Sequence, residues 1–335
     1  MARKKATFLA PAGNVELIFG PELIEQVQAL CDVAATALPD AEPATVKAAL
    51  RGVEIVLSTW GMPKMTEDIL DAAPDLRIII YGASSVKGFV TDALYDRGIT
   101  VTTAALANGT AVAEFTVALI TLSLKNAWAH LAALRRDGRA AWRRADLGPS
   151  RGTHRAAIGI IGASATGRET IRLLKGYICQ ILVADPFLSP DEARALGVEK
   201  AELDDLMARC DVVSLHAPNL PHLRHMINAE RLRQMKDGAV FINTARGALV
   251  DEEALIAELR TGRILACLDV TDPEPPVEGS PLYALPNVIL TPHLAGGMGA
   301  DCRRVGELCI QELERYLAGL PPLYPVTRER LAITS

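Results

Sequence analysis

The chain has 335 residues, of which 50% are hydrophobic, 22% are charged and 4% are aromatic, and its formal net charge at pH 7 is −5. The high apolar content excludes an intrinsically disordered chain, and the length predicts two domains of ordinary size. A net negative charge gives no long-range attraction to nucleic acid or to an anionic membrane surface, so we expect neither as a partner.

Two further observations favour a cytoplasmic protein. The longest apolar stretch, residues 111–124, contains Glu114 and several hydroxyl groups, so it lacks the roughly 18 uninterrupted apolar residues that a membrane span requires. The six cysteines form no CxxC pair and lie mostly within apolar segments, as reduced core thiols do. We therefore expect neither a disulfide framework nor a metal site.

The first third of the chain alternates short β-branched runs with helix-like stretches, the pattern of a parallel sheet. The predicted strands are residues 6–9, 31–36, 53–58, 76–81 and 100–103. A helix is predicted over residues 21–30, with proline at its first position. A longer helix is predicted over about 109–136, and its broad apolar face suits either a crossing between domains or a contact with another subunit.

A basic stretch at residues 135–152 is predicted to be a connecting segment. After it, a second alternation of short β-branched runs and helix-like stretches begins. Its predicted strands are residues 157–161, 181–185, 211–215, 239–243, 264–269 and 288–291. A last helix, about 300–318, is placed to return the chain to the first domain. The fold class that this pattern predicts is α/β, with two doubly wound parallel-sheet (Rossmann-like) lobes and a cleft between them.

A glycine-containing turn follows the first strand of the second alternation. Residues 162–167 read GASATG, and a helix is predicted to begin near Thr166. Such a turn binds a pyrophosphate, because free backbone N–H groups and the positive end of the helix dipole face the anion. Ser164 replaces the middle glycine of the GxGxxG fingerprint, and either donates its hydroxyl to the anion or weakens binding. By itself the turn also fits an ordinary connection between strand and helix.

Asp185 ends the next predicted strand, where an acidic residue accepts the ribose hydroxyls of a dinucleotide. The same carboxylate repels a 2′-phosphate, and Pro186 and Phe187 supply no cation to offset it. The sequence therefore favours NAD over NADP. The alternative is that Asp185 only starts the turn at Pro186.

Ligands of an open parallel sheet bind at the carboxyl ends of its strands. The other polar residues predicted at those ends are His216, Arg246, Asp269 and His293. The guanidinium of Arg246 is suited to bidentate binding of a carboxylate, unless it forms a salt bridge across the expected cleft. Glu274 lies in a proline-rich loop before His293, and a carboxylate paired with this histidine would orient it as a general acid for a carbonyl oxygen. Without such a pairing, Glu274 is expected to be a charged residue on the surface of the loop.

With these residues in place, the sequence resembles the D-isomer-specific 2-hydroxyacid dehydrogenase family, which includes phosphoglycerate dehydrogenases, glyoxylate/hydroxypyruvate reductases and formate dehydrogenases. The resemblance extends from about residue 50 to the last helix. The matching stretches, in the family's order, are VAEFTVALI (112–120), IGIIGASATG (158–167), HAPNLPHLRHMI (216–227), INTARGALVDEEAL (242–255), LDVTDPEP (268–275) and LTPHLAG (290–296).

The resemblance implies roles for individual residues. Arg246 is implied to bind the substrate carboxylate, Glu274 to partner the histidine, and His293 to donate the proton. The loop that matches the family's substrate-binding loop, without its usual acidic position, consists of Ala83, Ser84 and Ser85. The implied cofactor-binding residues are Gly162, Ser164, Ala165, Thr166, Gly167, Asp185, His216, Thr244, Ala245 and Asp269.

By the same resemblance, residues 1–106 and 301–335 form a substrate-binding (catalytic) domain, residues 107–300 form an NAD-binding Rossmann domain, and the long helix contributes to a homodimer interface. The expected function is hydride transfer between NAD(H) and a small 2-oxo or D-2-hydroxy acid, with His293 as general acid/base. The alternative is a non-catalytic NAD(H)-sensing protein on the same fold, but a sensor needs no acid. An S-adenosylmethionine-dependent methyltransferase shares the glycine turn but does not require the arginine, glutamate and histidine.

Overall fold

The computed structural model describes residues 3–142 and 150–331, which form two compact units. Unit 1 comprises Met1–Asn108 and Gly297–Ser335, and unit 2 comprises Gly109–Gly296. Residues 143–149, the middle of the connection that the sequence predicts, lie outside the described residues.

The strands are short, and most consist of β-branched and aliphatic residues. In chain order they are β1 (Lys5–Phe8), β2 (Asp32–Val33), β3 (Ile55–Ser58), β4 (Ile78–Tyr81), β5 (Thr100–Thr103), β6 (Ala157–Ile161), β7 (Gln180–Ala184), β8 (Glu199–Lys200), β9 (Val212–Leu215), β10 (Val240–Asn243), β11 (Leu265–Leu268) and β12 (Val288–Leu290).

The helices connect the strands and cover both faces of each sheet. In chain order they are α1 (Ala12–Leu30), α2 (Pro43–Ala49), α3 (Glu67–Asp71), α4 (Asp92–Asp96), α5 (Ala105–Leu124), α6 (Ala127–Asp137), α7 (Ala165–Leu174), α8 (Pro190–Leu196), α9 (Leu203–Arg209), α10 (Ala229–Gln234), α11 (Glu252–Arg260), α12 (Asp301–Leu317) and α13 (Arg328–Leu331).

Unit 1 is built on a five-stranded parallel sheet with the order β2-β1-β3-β4-β5. Every residue of β3 and β4 is buried, because helices cover both faces and the strands are almost wholly aliphatic. One face packs against α2, α3 and α4, and the other packs against α1 and α12. The C-terminal helix α12 lies so close to α1 that a Cβ on Gly306 would come within 2.4 Å of the Ile18 carbonyl oxygen.

Unit 2 contains a seven-stranded parallel sheet with the order β12-β11-β10-β9-β6-β7-β8. The chain reverses direction across the sheet at β6, which pairs with β7 on one side and β9 on the other. In sheets of this kind, ligands bind outside the carboxyl ends of the strands near such a switch point. The fold class predicted from the sequence, with two doubly wound parallel sheets, is confirmed.

The structure corrects several predicted elements. The single helix predicted over 109–136 is two helices, α5 and α6, because Asn126 adopts a left-handed conformation with φ of 54°. The helix predicted to begin at Pro21 begins at Ala12 and is kinked at Gly20, where φ is 56°. The predicted strand 31–36 is shortened to the two residues of β2. Strand β8 was not predicted, since its two residues are exposed and polar.

Helix α5 is the one helix within the described residues that is long and apolar enough to cross a membrane. Half of its apolar stretch is buried, and Val117 and Ile120 share a hydrophobic cluster with Ile158 and Ile160 of β6. A helix in a protein core passes the same test of length and composition. The helix is therefore weak evidence for a membrane span.

Candidate active site

The turn between β6 and α7 requires glycine at two positions. Gly162 has φ of +96°, and a Cβ there would lie 2.8 Å from the backbone nitrogen of Ala217. A Cβ on Gly167 would lie 2.1 Å from the carbonyl oxygen of Gly162. The absence of both side chains brings the helix N-terminus close to the sheet edge, and this cradle fits the pyrophosphate of a dinucleotide.

Ser164, which departs from the GxGxxG fingerprint, is the N-cap of α7. Its Oγ accepts a hydrogen bond of 3.2 Å from the backbone N–H of Gly167. Ala165 and Thr166 follow in the first turn, where backbone N–H groups have no intrahelical acceptor and remain available to an anion. The serine thus stabilises the start of the helix that forms the cradle.

Asp185 supports the glycine turn and also starts the turn that follows β7. Its Oδ2 accepts a hydrogen bond of 2.7 Å from Ala163 N, and its Oδ1 accepts one of 2.8 Å from Phe187 N. The carboxylate is partly exposed beside the cradle. The turn-forming role that the sequence offered as an alternative is therefore present, and the ribose-binding role stays a prediction.

His216 is almost fully buried at the end of β9, where its backbone lies against Gly162. Burial lowers the pKa of its imidazole to about 4, so the ring is neutral near pH 7. Its Nε2 lies 2.9 Å from the Ser214 hydroxyl, and its Nδ1 has no partner among the described residues. A buried, neutral imidazole of this kind is not suited to proton transfer near pH 7.

Arg246 follows β10 in a short turn that begins at Asn243. Its Nη1 donates a hydrogen bond of 2.6 Å to the carbonyl oxygen of Ala245. The guanidinium forms no ion pair with an acidic residue in the described part of the chain, so the salt bridge that the sequence left open is not present there. Arg246 therefore keeps hydrogen-bond donors for an external carboxylate. In the same turn, Thr244 is buried, with its hydroxyl 3.0 Å from that of Thr116.

His293 and Glu274 lie together beyond the carboxyl ends of β12 and β11. The histidine Nδ1 is 2.5 Å from Glu274 Oε1, and both side chains are close to half exposed. With Nδ1 engaged in this way, Nε2 is the ring atom left for a substrate. His293 has φ of 53°, a left-handed conformation that is uncommon for a residue other than glycine.

The left-handed conformation of His293 arises because the backbone of residues 291–295 folds around Asp269. This aspartate is 2% exposed, and each of its oxygens accepts hydrogen bonds from that loop. The donors are Thr291 Oγ1 (2.6 Å) and Leu294 N (2.9 Å) to Oδ1, and Ala295 N (2.9 Å) to Oδ2. The carboxylate thus determines where the histidine is placed.

A cavity of about 670 Å³ lies beside Glu274 and His293 in unit 2. Tyr283, Val288 and Leu290 form part of its apolar lining. Its volume is that of a site for a small organic ligand. No cluster of potential metal ligands occurs in the described ranges 3–142 and 150–331.

The predicted substrate loop belongs to unit 1 and follows β4. The hydroxyl of Thr103 donates to the carbonyl oxygens of Ala83 (2.6 Å) and Ser84 (3.0 Å), and Thr59 donates to that of Gly82. Ser84 and the adjacent Ser85 are partly exposed. The loop is therefore held by its carbonyl oxygens, and its serine side chains reach the surface.

Sequence reasoning missed Asn243. This residue ends a buried strand, is itself 1% exposed, and forms hydrogen bonds on both sides of the turn that leads to Arg246. A signal was present, since a polar amide inside a run of apolar strand residues must find partners for its donor and its acceptor.

Comparison with known families gives a match that lies within unit 2. The family profile described as "D-isomer specific 2-hydroxyacid dehydrogenase, NAD binding domain" matches residues 118–295. This range contains the glycine turn, Asp185, Arg246, Glu274 and His293.

Several relatives match most of the chain. A glyoxylate reductase of Thermofilum pendens is 34% identical over 275 residues, which cover 81% of this chain and 80% of that protein. A D-3-phosphoglycerate dehydrogenase of Methanocaldococcus jannaschii is 31% identical over 260 residues, which cover 76% of this chain and 48% of that protein. The chain thus spans about half the length of the curated phosphoglycerate dehydrogenases that it matches. Among solved structures, a phosphoglycerate oxidoreductase from Rhizobium etli has a TM-score of 0.81 at 25% identity, covering 97% of this chain and 99% of that one.

Proposed function

This chain belongs to the D-isomer-specific 2-hydroxyacid dehydrogenase family, and on that premise we propose that it is an oxidoreductase acting with NAD(H) on a small 2-oxo acid or D-2-hydroxy acid. The observation that carries the proposal is the contact between His293 Nδ1 and Glu274 Oε1, at the same sheet edge as Arg246. A carboxylate-binding cation and an oriented acid/base are the two groups that such a reaction requires from the protein.

In the direction of reduction, Arg246 binds the substrate carboxylate and so orients the neighbouring carbonyl group. His293 holds a proton on Nε2 and donates it to the carbonyl oxygen, while Glu274 keeps the ring in position through Nδ1. In the direction of oxidation, Nε2 accepts the proton of the substrate hydroxyl. NAD(H), when bound, supplies or accepts the hydride.

The nucleotide is proposed to bind along the carboxyl edge of the unit 2 sheet. The turn of Gly162, Ser164 and Gly167 would take the pyrophosphate on the first-turn amides of α7, those of Ala165 and Thr166. Asp185 would accept the ribose hydroxyls and disfavour a 2′-phosphate. The remaining proposed contacts are His216, Thr244, Ala245 and Asp269.

For the domains, we propose that unit 2 binds the nucleotide and unit 1 binds part of the substrate. The partly exposed serines of the loop Ala83, Ser84 and Ser85 are the candidate contacts in unit 1. The sequence-based boundaries for these domains, residues 1–106 with 301–335 and residues 107–300, stay a prediction.

A homodimer is the proposed assembly. The apolar side chains of Leu122 on α5 and Leu131 on α6 are 40% and 46% exposed, which supports a contact between subunits. Size-exclusion chromatography with light scattering tests this, and a monomer at micromolar concentration contradicts it.

A cytoplasmic location is also proposed, because all six cysteines are free thiols.

The test of the function is NADH oxidation with glyoxylate, hydroxypyruvate, pyruvate, phosphohydroxypyruvate and a branched 2-oxo acid, repeated with NADPH. Turnover of at least one acid, with NADH preferred, is the expected result. If NADH binds but no acid in the panel is reduced, the proposed substrate class is wrong. If NADH does not bind, the proposed cofactor site is wrong as well.

A further inference from the structure

We propose that Asn243 is a positioning residue that directs Arg246 towards the substrate carboxylate, an inference that rests on the proposed function. Asn243 is the last residue of β10 and is 1% exposed. It does not reach the reacting atoms in this proposal, and it acts only through the turn that carries the arginine.

The side-chain amide of Asn243 bridges the two ends of that turn. Its Nδ2 donates a hydrogen bond of 3.0 Å to the carbonyl oxygen of Arg246, and its Oδ1 accepts one of 3.0 Å from the backbone N–H of Ala245. One side chain thereby holds the peptide groups on both sides of the Ala245–Arg246 segment. The backbone of Arg246 is extended, with φ of −149° and ψ of 142°.

The chemistry of this bridge requires an amide. Asparagine offers a donor and an acceptor from one planar group, whereas an aspartate offers acceptors only. A carboxylate at position 243 would place an oxygen against the carbonyl oxygen of Arg246, in a site that water does not reach. The turn would then have to move away from the strand end.

The opposite side of the turn is confined by the chain that leads to Glu274. A Cβ on Gly247 would lie 2.0 Å from the carbonyl carbon and oxygen of Thr271, so the two backbones are in direct contact there. The turn is therefore held between the Asn243 amide and the Thr271 backbone. With the backbone held on both sides, the direction in which the Arg246 side chain leaves the turn is determined.

A purely structural role for Asn243 predicts a different outcome, and Asn287 provides the matched control. Its Nδ2 donates to the carbonyl oxygens of Leu259 (2.9 Å) and Ile264 (2.8 Å), immediately before β12 begins. It is another amide that bridges backbone groups in unit 2, but it lies at the amino end of its strand. Loss of this amide should affect folding and not substrate binding.

The experiment compares Asn243→Asp with Asn287→Asp, with Asn243→Ser as a second variant if the aspartate prevents folding. We would measure KM and kcat for the best 2-oxo acid of the wild type, the inhibition constant of oxamate, the NADH dissociation constant by fluorescence, and Tm. For the Asn243 variants we expect KM and the oxamate constant to rise together by about tenfold to a hundredfold, with kcat and NADH affinity changed less than about threefold. Asn287→Asp should lower Tm without changing either constant.

Two results would overturn the inference, and they are distinguishable. If the wild type is active and an Asn243 variant has a lower Tm but unchanged KM and oxamate constant, the residue is only structural. If the wild type neither reduces a 2-oxo acid nor binds oxamate, the proposed function fails, and the role of Asn243 fails with it.

Discussion

The backbone N–H of His293 donates a hydrogen bond of 3.0 Å to the carbonyl oxygen of Asp269, and the next two residues bind the carboxylate of the same aspartate. The proposed general acid is thus attached to the end of β11 by its own backbone, and to Glu274 by its side chain. Sequential N–H groups that converge on an anion in this way form a nest, which stabilises a left-handed residue within it. The position of the imidazole therefore depends on Asp269, whereas its orientation depends on Glu274. Substitutions of these two residues can distinguish the two effects.

Asp269→Asn should reduce kcat by about a hundredfold, because a displaced acid reacts slowly even when its chemistry is intact. The amide group would turn an N–H donor towards the donors of the 291–295 loop, and the free energy of unfolding should fall by about 1–3 kcal/mol. Steady-state kinetics and thermal unfolding measure the two effects. The control is Asp237→Asn, at a side chain that is 86% exposed. Unchanged kcat in the Asp269 variant would contradict the role given to the loop.

His293→Ala should lower kcat by about 10²–10⁴-fold, the usual contribution of a positioned acid or base. The Kd for NADH should stay near that of the wild type, since the side chain is proposed to contact substrate and not nucleotide. His222→Ala removes an exposed histidine of the same unit and should leave kcat unchanged. A His293 variant with wild-type turnover would refute the mechanism.

Glu274→Gln keeps an oxygen that can accept from His293 Nδ1 but removes its charge. We expect kcat to fall by about tenfold to a hundredfold, less than for loss of the histidine, because a charge-assisted hydrogen bond becomes a neutral one. Steady-state kinetics of the single variants and of the double variant check this. If the two residues act as a pair, the double variant should be no slower than His293→Ala alone.

The buried histidine His216 should make stability depend on pH. Its pKa is lowered from 6.5 to about 4 by burial, so between these values the unfolded chain binds a proton that the folded chain does not. Its contribution is therefore fully present above pH 6.5 and is lost as the pH falls towards 4, by about 3 kcal/mol in total. Denaturant unfolding of the wild type and of His216→Gln between pH 7 and about pH 5 measures the difference in slope. Parallel pH dependences would exclude this account.

Gly162→Ala should disrupt the glycine turn. The new Cβ would meet backbone atoms of Ala217 at 2.8 Å, at a φ that side chains rarely adopt, and we expect the free energy of unfolding to fall by about 2 kcal/mol or more. Binding of NADH, followed by fluorescence, should be lost or strongly weakened in the folded fraction. Gly176→Ala is the matched control, since its Cβ would meet only Leu173 O at 3.7 Å. Equal NADH affinity in the two variants would argue against a nucleotide site at this turn.

Much of the fold could be predicted because burial on both faces leaves a direct mark on composition. Strand β6 coincides with the predicted range 157–161, β10 begins one residue later than predicted, and β11 is one residue shorter than predicted at each end. The failures have local causes. Strand β8 has no apolar residues to mark it, and the break at Asn126 depends on a left-handed backbone that hydrophobic periodicity does not detect.

The sequence by itself determined that the polar residues Asp185, Arg246, Asp269 and His293 gather at one sheet edge, because each follows or ends a strand of a parallel sheet. Only the tertiary structure decided what each side chain does there. The hydrogen bond between His293 and Glu274 joins residues that are 19 positions apart in the sequence. The hydrogen bonds from the backbone amides of residues 294 and 295 to Asp269 join residues that are 25 and 26 positions apart. Such contacts depend on how separate loops fold against each other, and local periodicity carries no information about the direction in which a loop side chain points.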